Sequence, residues 1–312
     1  MVITIRGLKN GLANAASVTA LLSAVTAVVK SKKTFAMQLT PFGSPSILDY
    51  LEGQRLKDEE VNAGFKVWSD EGIDELIIKS QNADLSKEHF DSVTTALLDK
   101  ENLFDVLAPT TNSVDFFEFL KEEDVINIIE GAKKVYDYVY ILLPERQEVI
   151  DIVYSKADEN IVVIPQGPKV ELENIPENVT YVINDFEKNS VFTVRDMAKE
   201  YGTKKMYVLP HNYLYRDAII QKTLFDFVLK NKKDIKADIN FDFTSSVSKL
   251  LGKYIAGIDD DDEDEAEELP KKKPAKDKLV QPQIDDIPDD AIQEIIVKKG
   301  LFRKKKKLTA DL

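Results

Sequence analysis

Seven short apolar runs, each bounded by turn residues, punctuate the chain up to residue 257: Val2–Arg6, Thr34–Leu39, Leu103–Ala108, Tyr138–Leu143, Ile161–Ile164, Thr180–Ile183 and Met206–Leu209. Between them, apolar residues recur at three- and four-residue spacing over Ser17–Val29, Asp70–Ser80, Lys87–Leu98, Glu122–Val135, Glu145–Tyr154, Val191–Tyr201 and Tyr215–Leu229. Strands that alternate with helices pair through crossovers, which predicts an α/β fold: a mostly parallel sheet with helices on both faces. A last helix over Ser245–Leu251 is expected to close the domain. Ligands of such sheets bind outside the carboxyl ends of the strands, so the loop after the first strand is the first place to look for chemistry.

That loop lies in VITIRGLKNGLANAASVTALL, Val2–Leu22. It has the layout of a phosphate-cradling loop: buried strand, glycine-bearing turn, apolar helix. A working loop reads G-x-x-x-x-G-K-[ST]; its backbone N–H groups wrap the phosphates, its lysine meets the outer phosphates and its hydroxyl holds magnesium. With Gly7 as the first glycine, the second falls on Leu12, the lysine on Ala13 and the hydroxyl on Asn14. With Gly11 as the second, the lysine becomes Leu12 and the hydroxyl Ala13. Both registers lose lysine and hydroxyl. Lys9, beside Asn10, lies upstream of the second glycine. Taken alone, a strand–glycine–helix turn is common to many α/β proteins.

Composition removes several chemistries. The chain has no cysteine, which excludes disulfides, thiolate metal sites and cysteine nucleophiles. Its two histidines, His89 and His211, are far apart in sequence, and no G-x-S-x-G elbow accompanies either. The N-terminus enters a strand directly, without the basic and apolar regions of a secretory signal. Ala15–Val29 is apolar but carries Ser17, Thr19, Ser23 and Thr26, and it is shorter than the roughly 20 residues that span a bilayer. A buried helix and a cytoplasmic protein are therefore expected. The net charge is −13 and the part before residue 258 is itself acidic, which argues against broad DNA binding.

Several segments, in order, resemble the MinD/ParA family of deviant-Walker ATPases. YDYVYILLP, Tyr136–Pro144, resembles the family's YDYVIIDTPP strand, whose aspartate supports magnesium and the attacking water; Leu142 stands at that position. KADENIVVIPQGP, Lys156–Pro168, resembles the ADEVIVVTNPE strand that follows. VTYVINDFEKNS, Val179–Ser190, resembles the VVNR strand with its base-reading asparagine, matched by Asn184. In KKMYVLPHNYLYRDAIIQKTLFDF, Lys204–Phe227, Val208, Leu209, Pro210, His211, Asn212 and Ala218 match the VIPYD segment that closes the nucleotide pocket. TFAMQLTPFGSPSILDYL resembles VLLIDLDPQGSLSDLL, with Gln38, Leu39 and Thr40 where an acid is expected. The resemblance covers about residues 1–255 and implies a P-loop NTPase-like fold, dimerisation through the nucleotide face, and Lys9 as at best a mimic of the family's extra loop lysine. It also implies that three catalytic positions have lost their charge, which leaves little phosphoryl transfer. Degenerate members resemble the TadZ/CpaE group, which places Tad-type pilus or secretion machinery, although no receiver-like N-terminal domain is visible here.

Beyond residue 257 the composition changes. Asp259–Glu268 holds nine acidic residues, then lysines and prolines alternate with almost nothing apolar, so residues 258–288 are expected to form a disordered linker. Residues 289–312 carry Ile292, Ile295 and Ile296 on one helical face, then Leu301 and Phe302, followed by five consecutive basic residues that begin with Arg303, Lys304 and Lys305. This resembles the amphipathic membrane-targeting tails of MinD-type proteins; each basic residue near an anionic leaflet adds about 1 kcal/mol. A solubilising tail with a short partner-binding helix fits the same residues, and nucleic acid is disfavoured.

The sequence thus reads as a pseudo-ATPase: a scaffold or positioning protein, a homodimer with a protein partner in an assembly machine, carrying a vestigial loop of Gly7, Lys9, Asn10, Gly11, Leu12, Ala13 and Asn14. No metal and no cofactor are expected, with weak ATP or ADP binding through backbone N–H groups left open. Asn184, Pro210, His211 and Asn212 are the candidate base pocket; a strand-end turn role for Asn184 and a rim role for His211 fit equally. The tail provides for peripheral attachment at the inner face of a membrane. The rivals are an ATP-dependent dimerisation switch that borrows Lys9 or a partner's lysine, and a DNA partition protein.

Overall fold

The computed structural model describes residues 1–7, 14–40, 45–52, 72–98, 104–110, 120–143, 147–171, 173–233 and 238–255. Its strands are β1 (Val2–Arg6), β2 (Thr34–Gln38), β3 (Thr94–Leu98), β4 (Phe104–Leu107), β5 (Tyr138–Leu142), β6 (Glu159–Pro165), β7 (Val179–Phe186) and β8 (Met206–Pro210). The helices are α1 (Ala15–Val28), α2 (Ile47–Glu52), α3 (Ile73–Asn82), α4 (Lys87–Asp91), α5 (Glu122–Val135), α6 (Gln147–Lys156), α7 (Val194–Tyr201), α8 (Tyr213–Ile220), α9 (Leu224–Lys230) and α10 (Phe241–Ile255). One sheet runs in the order β3-β4-β2-β5-β1-β6-β7-β8. Every pairing is parallel except β3–β4.

The sheet separates the core into faces because side chains alternate along each strand. Ile3 and Ile5 of β1 pack with α1, α2, α8, α9 and α10. Val2 joins Phe35, Met37 and Val139 under α3, α4, α5 and α6. Val162, Ile164, Tyr181 and Ile183 form a smaller cluster with Met197 of α7. β1 and β5 are buried along their whole length, as central strands covered on both sides should be.

α1 is buried on every side: each residue from Ala16 to Ala27 is below solvent reach. A helix so placed must satisfy its hydroxyls internally. Thr19 donates to the Ala15 carbonyl at 2.8 Å and Ser23 to the Thr19 carbonyl at 2.8 Å. Thr26 bonds the Leu22 carbonyl and shares a 2.6 Å bond with the Tyr140 hydroxyl of β5. With Ser17 donating to the Asn14 carbonyl at the helix start, the four polar interruptions noted in this segment are bonded back onto the preceding turn, and the apolar stretch is a core helix.

Three secondary-structure expectations are corrected. Lys87–Leu98 is a short helix followed by an antiparallel edge strand, because α4 ends at Asp91 and the β-branched pair Thr94–Thr95 enters β3. Tyr215–Leu229 is two helices, α8 and α9, broken where Lys222 takes φ 58°. Ile47–Glu52, given no element in the sequence reading, is helical.

A buried carboxylate anchors the face opposite α1. Asp105 of β4 is 1% exposed and accepts a 2.6 Å bond from the Tyr136 hydroxyl. The Tyr136 ring stacks on Phe35 at 5.1 Å and meets Phe90 edge-on at 5.7 Å. Tyr136→Phe keeps the ring and removes the bond, so chemical unfolding should show a loss of about 1–3 kcal/mol.

Candidate functional site

The carboxyl ends of β2, β5, β1, β6, β7 and β8 form one edge in that order. Gly7 leaves β1 and Asn14 begins α1. An ideal Cβ on Gly7 would lie 2.8 Å from the Ala15 Cβ, so only glycine lets the strand end approach the helix start this closely. Residues 8–13 lie outside the described residues, and with them Lys9, Asn10, Gly11, Leu12 and Ala13 of the candidate loop.

Asn14, at the hydroxyl position of one register, is the N-cap of α1. It adopts the left-handed conformation at φ 46° and ψ 54°, which asparagine tolerates better than most residues. Its Oδ1 accepts from the Ser17 amide at 3.4 Å and from the Tyr50 hydroxyl of α2 at 3.3 Å. Ser17 Oγ donates to the Asn14 carbonyl at 2.9 Å and accepts from the Tyr215 hydroxyl of α8 at 3.4 Å. Two tyrosines from separate helices thus close over the first turn of α1. Burial pushes both phenols up from their ordinary value, countered in part by these bonds. No acidic residue stands in the first turn, so its N–H groups keep the positive end of the helix dipole uncompensated.

The positions that would serve metal and phosphate are occupied differently. Leu142 is 4% exposed and belongs to the apolar cluster under α1. Its carbonyl accepts the Leu39 amide at 2.9 Å, and Leu143 donates to Ile5 at 2.8 Å, which ties β2, β5 and β1 together at this end. The Gln38 side chain bonds within the chain at both atoms: Nε2 donates to Thr40 Oγ1 at 2.7 Å, and Oε1 accepts the Ile47 amide at 2.8 Å at the start of α2. These described positions offer magnesium no carboxylate, and they do not fit it. Among the described residues no group of three His, Asp or Glu side chains could hold a metal ion. Cations at this edge are also engaged. Arg6 donates to the Glu173 carbonyl at 2.9 Å, Lys188 pairs with Asp242 at 3.2 Å, and Lys222 with Asp49 at 3.6 Å.

The candidate base-pocket residues come together at the ends of β7 and β8. Asn184 pairs with Pro165 across β6 and β7, and Pro210 with Phe186 across β7 and β8. His211 lies at the rim with its side chain one-third exposed; its Nδ1 is 2.6 Å from Asp185 Oδ1 and 3.7 Å from Glu187 Oε1. Asn212 caps α8 by accepting the Tyr215 amide at 2.8 Å, and its Nδ2 donates to Asn240. Asn240 in turn donates to Asn231 at 2.9 Å, so an amide chain joins α8, α9 and the start of α10. Strand spacing puts β7 about 10 Å from β1, on the scale of a mononucleotide. Asp185, Tyr50 and Tyr215 were not singled out in the sequence; the positive φ of Asp185 is a signal only the backbone gives. The tail residues Ile292, Ile295, Ile296, Leu301, Phe302, Arg303, Lys304 and Lys305 lie outside the described residues. Among the described residues no helix is long and apolar enough to cross a membrane.

No family model matches this chain, and no curated protein sequence matches it. Solved structures do. A ParA family ATPase from Chlorobium tepidum aligns at TM-score 0.59 and 15% identity, covering 80% of this chain and 98% of its own. A plasmid partition protein of Borrelia burgdorferi, described as putative and bound to AMPPNP, aligns at 0.54 and 17%, covering 82% and 99%. MinD in the MinC:MinD cell division complex of Aquifex aeolicus aligns at 0.53 and 16%, covering 81% and 95%. The chain has the fold of the ParA/MinD ATPases.

Two outcomes follow. Asn14→Ala loses the cap and must hold a left-handed φ without asparagine's tolerance, so it should cost about 1–2 kcal/mol in urea unfolding, with Asn14→Gly costing less. Because burial raises the folded-state pKa of Tyr50 and Tyr215 above the ordinary 10.0, the folded state binds more protons above that pH, and stability is lost as pH rises past it. The urea midpoint should fall from about pH 10 upward, and less steeply in Tyr215→Phe.

Proposed function

We propose that this chain is a non-hydrolysing positioning or scaffold protein on the ParA/MinD fold, associating with itself and with a protein partner without an ATP cycle. The observation that carries the proposal is the pair Leu142 and Gln38. The first lies in the core and the second has its amide spent on Thr40 and Ile47. A magnesium-assisted reaction needs anionic ligands and a positioned water at that edge, and phosphoryl transfer depends on such charge stabilisation for most of its rate.

The structural neighbours supply the kind of role. One is a plasmid partition protein and another is MinD in complex with MinC. A partner-binding, self-associating protein is the reading these names support for this chain, with attachment to an anionic membrane through residues 289–312. A part in Tad-type pilus or secretion assembly rests on the resemblance to the TadZ/CpaE group.

The second reading is an ATP switch with an unorthodox loop, favoured by the AMPPNP bound to the Borrelia neighbour and by Lys9. Phosphate release by the full chain with magnesium–ATP separates the two. The proposal predicts release at the buffer background, unchanged by Lys9→Ala. Turnover that Lys9→Ala abolishes would establish the switch instead.

A further inference from the structure

The helix α8 turns one face to the body of the domain and leaves the other uncovered. Tyr215 and Ala218 are buried in the core, and the Tyr215 hydroxyl reaches Ser17. On the opposite side Tyr213 is 50% and Ile220 68% exposed, with Leu214 exposed beside them. Tyr213 and Ile220 stand about two turns apart, so they form one stripe along the helix. At about 100° per residue, Arg216 lies about 50° to one side of that stripe and Asp217 about 50° to the other, both roughly halfway along it. Both are exposed, and neither forms an ion pair among the described residues. They are the charged residues of α8, so the face combines an apolar centre with one cation and one anion, on a chain of net charge −13. Ile239, also exposed, precedes Asn240, which accepts a bond from Asn212 at the start of α8, so apolar surface continues past the helix.

We infer that two copies of this chain associate through the exposed face of α8, with the two-fold axis running along the helix. This names a surface for the self-association proposed above, on which it rests. An anionic membrane or a nucleic acid asks for an excess of cations, which α8 does not carry. Two copies of an acidic chain repel one another, and a neutral apolar face is where they can meet. Two-fold symmetry puts the same patch on both sides of the contact. With the axis along the helix the stripes meet, and Arg216 of each copy faces Asp217 of the other. With the axis across the helix, Arg216 would face Arg216 and Asp217 would face Asp217. Opposite charges favour the first arrangement and like charges oppose the second. Tyr and Arg are also residues on which binding energy concentrates at an interface. The face lies opposite Tyr215 on the helix and so looks away from the start of α1, which makes the contact independent of what binds at the strand ends.

The test is sedimentation velocity of the full chain over a concentration series. The wild-type chain should dimerise. Arg216→Asp alone and Asp217→Arg alone set like charges against each other at both contacts, and each should raise the dimer dissociation constant at least about tenfold. An equimolar mixture of the two variants should recover the dimer, because each copy then meets its opposite charge. Recovery also shows that both variants are folded. A dimer unaffected by either substitution would overturn the inference and leave the proposed self-association to another surface. Weakening without recovery in the mixture would overturn it as well. A wild-type chain that stays monomeric throughout the series would overturn both this contact and the proposed self-association itself.

Discussion

The close approach of β1 and α1 at Gly7 and Ala15 is the constraint on which the rest of the molecule depends. A Cβ on Gly7 would lie 2.8 Å from the Ala15 Cβ, so glycine is what lets the end of the central strand sit against the start of a helix buried on all sides. Once α1 is fixed there, the sheet grows outward from it, with β5 and β6 on either side of β1. The helix start then points to the carboxyl edge of the sheet. That placement is the one a nucleotide-binding fold uses; under the proposed function it is kept while its chemistry is changed.

The change is one of bonding partners. In a magnesium site, polar groups at strand ends wait for a ligand. At this edge they bond to the chain itself: Asn14 with Ser17 and Tyr50, Ser17 with Tyr215, Gln38 with Thr40 and Ile47, Asn212 with Tyr215 and Asn240. Each bond adds rigidity and withdraws a donor or acceptor from other use. Buried polar groups demand partners, and a protein that finds them internally stabilises the frame on which partner surfaces are carried.

Much of the fold was legible because parallel strands buried on both faces read as short continuous apolar runs, and all seven such runs are strands. β3 was missed because Val93, Leu97 and Leu98 mimic helical spacing, while the stronger sign, two adjacent β-branched threonines at an edge, is local and weak. The α8–α9 break hid in a periodic stretch, since nothing in Gln221–Lys222–Thr223 announces a left-handed residue. At the site, the missing lysine and aspartate were visible as residue identities. The tyrosines over α1 were not, because Tyr50 and Tyr215 lie 36 and 198 residues from the atoms they bond. His211 was visible as a candidate, but its carboxylate partner depends on how β7 ends.

The proposal that this fold operates without a nucleotide switch is tested most directly by sedimentation velocity of the full chain. The association state should be the same in buffer, with magnesium–ADP and with magnesium–ATP, because Leu142 and Gln38 stand where a metal would need carboxylates. A shift to a larger species with magnesium–ATP alone, reversed by ADP, would contradict the account.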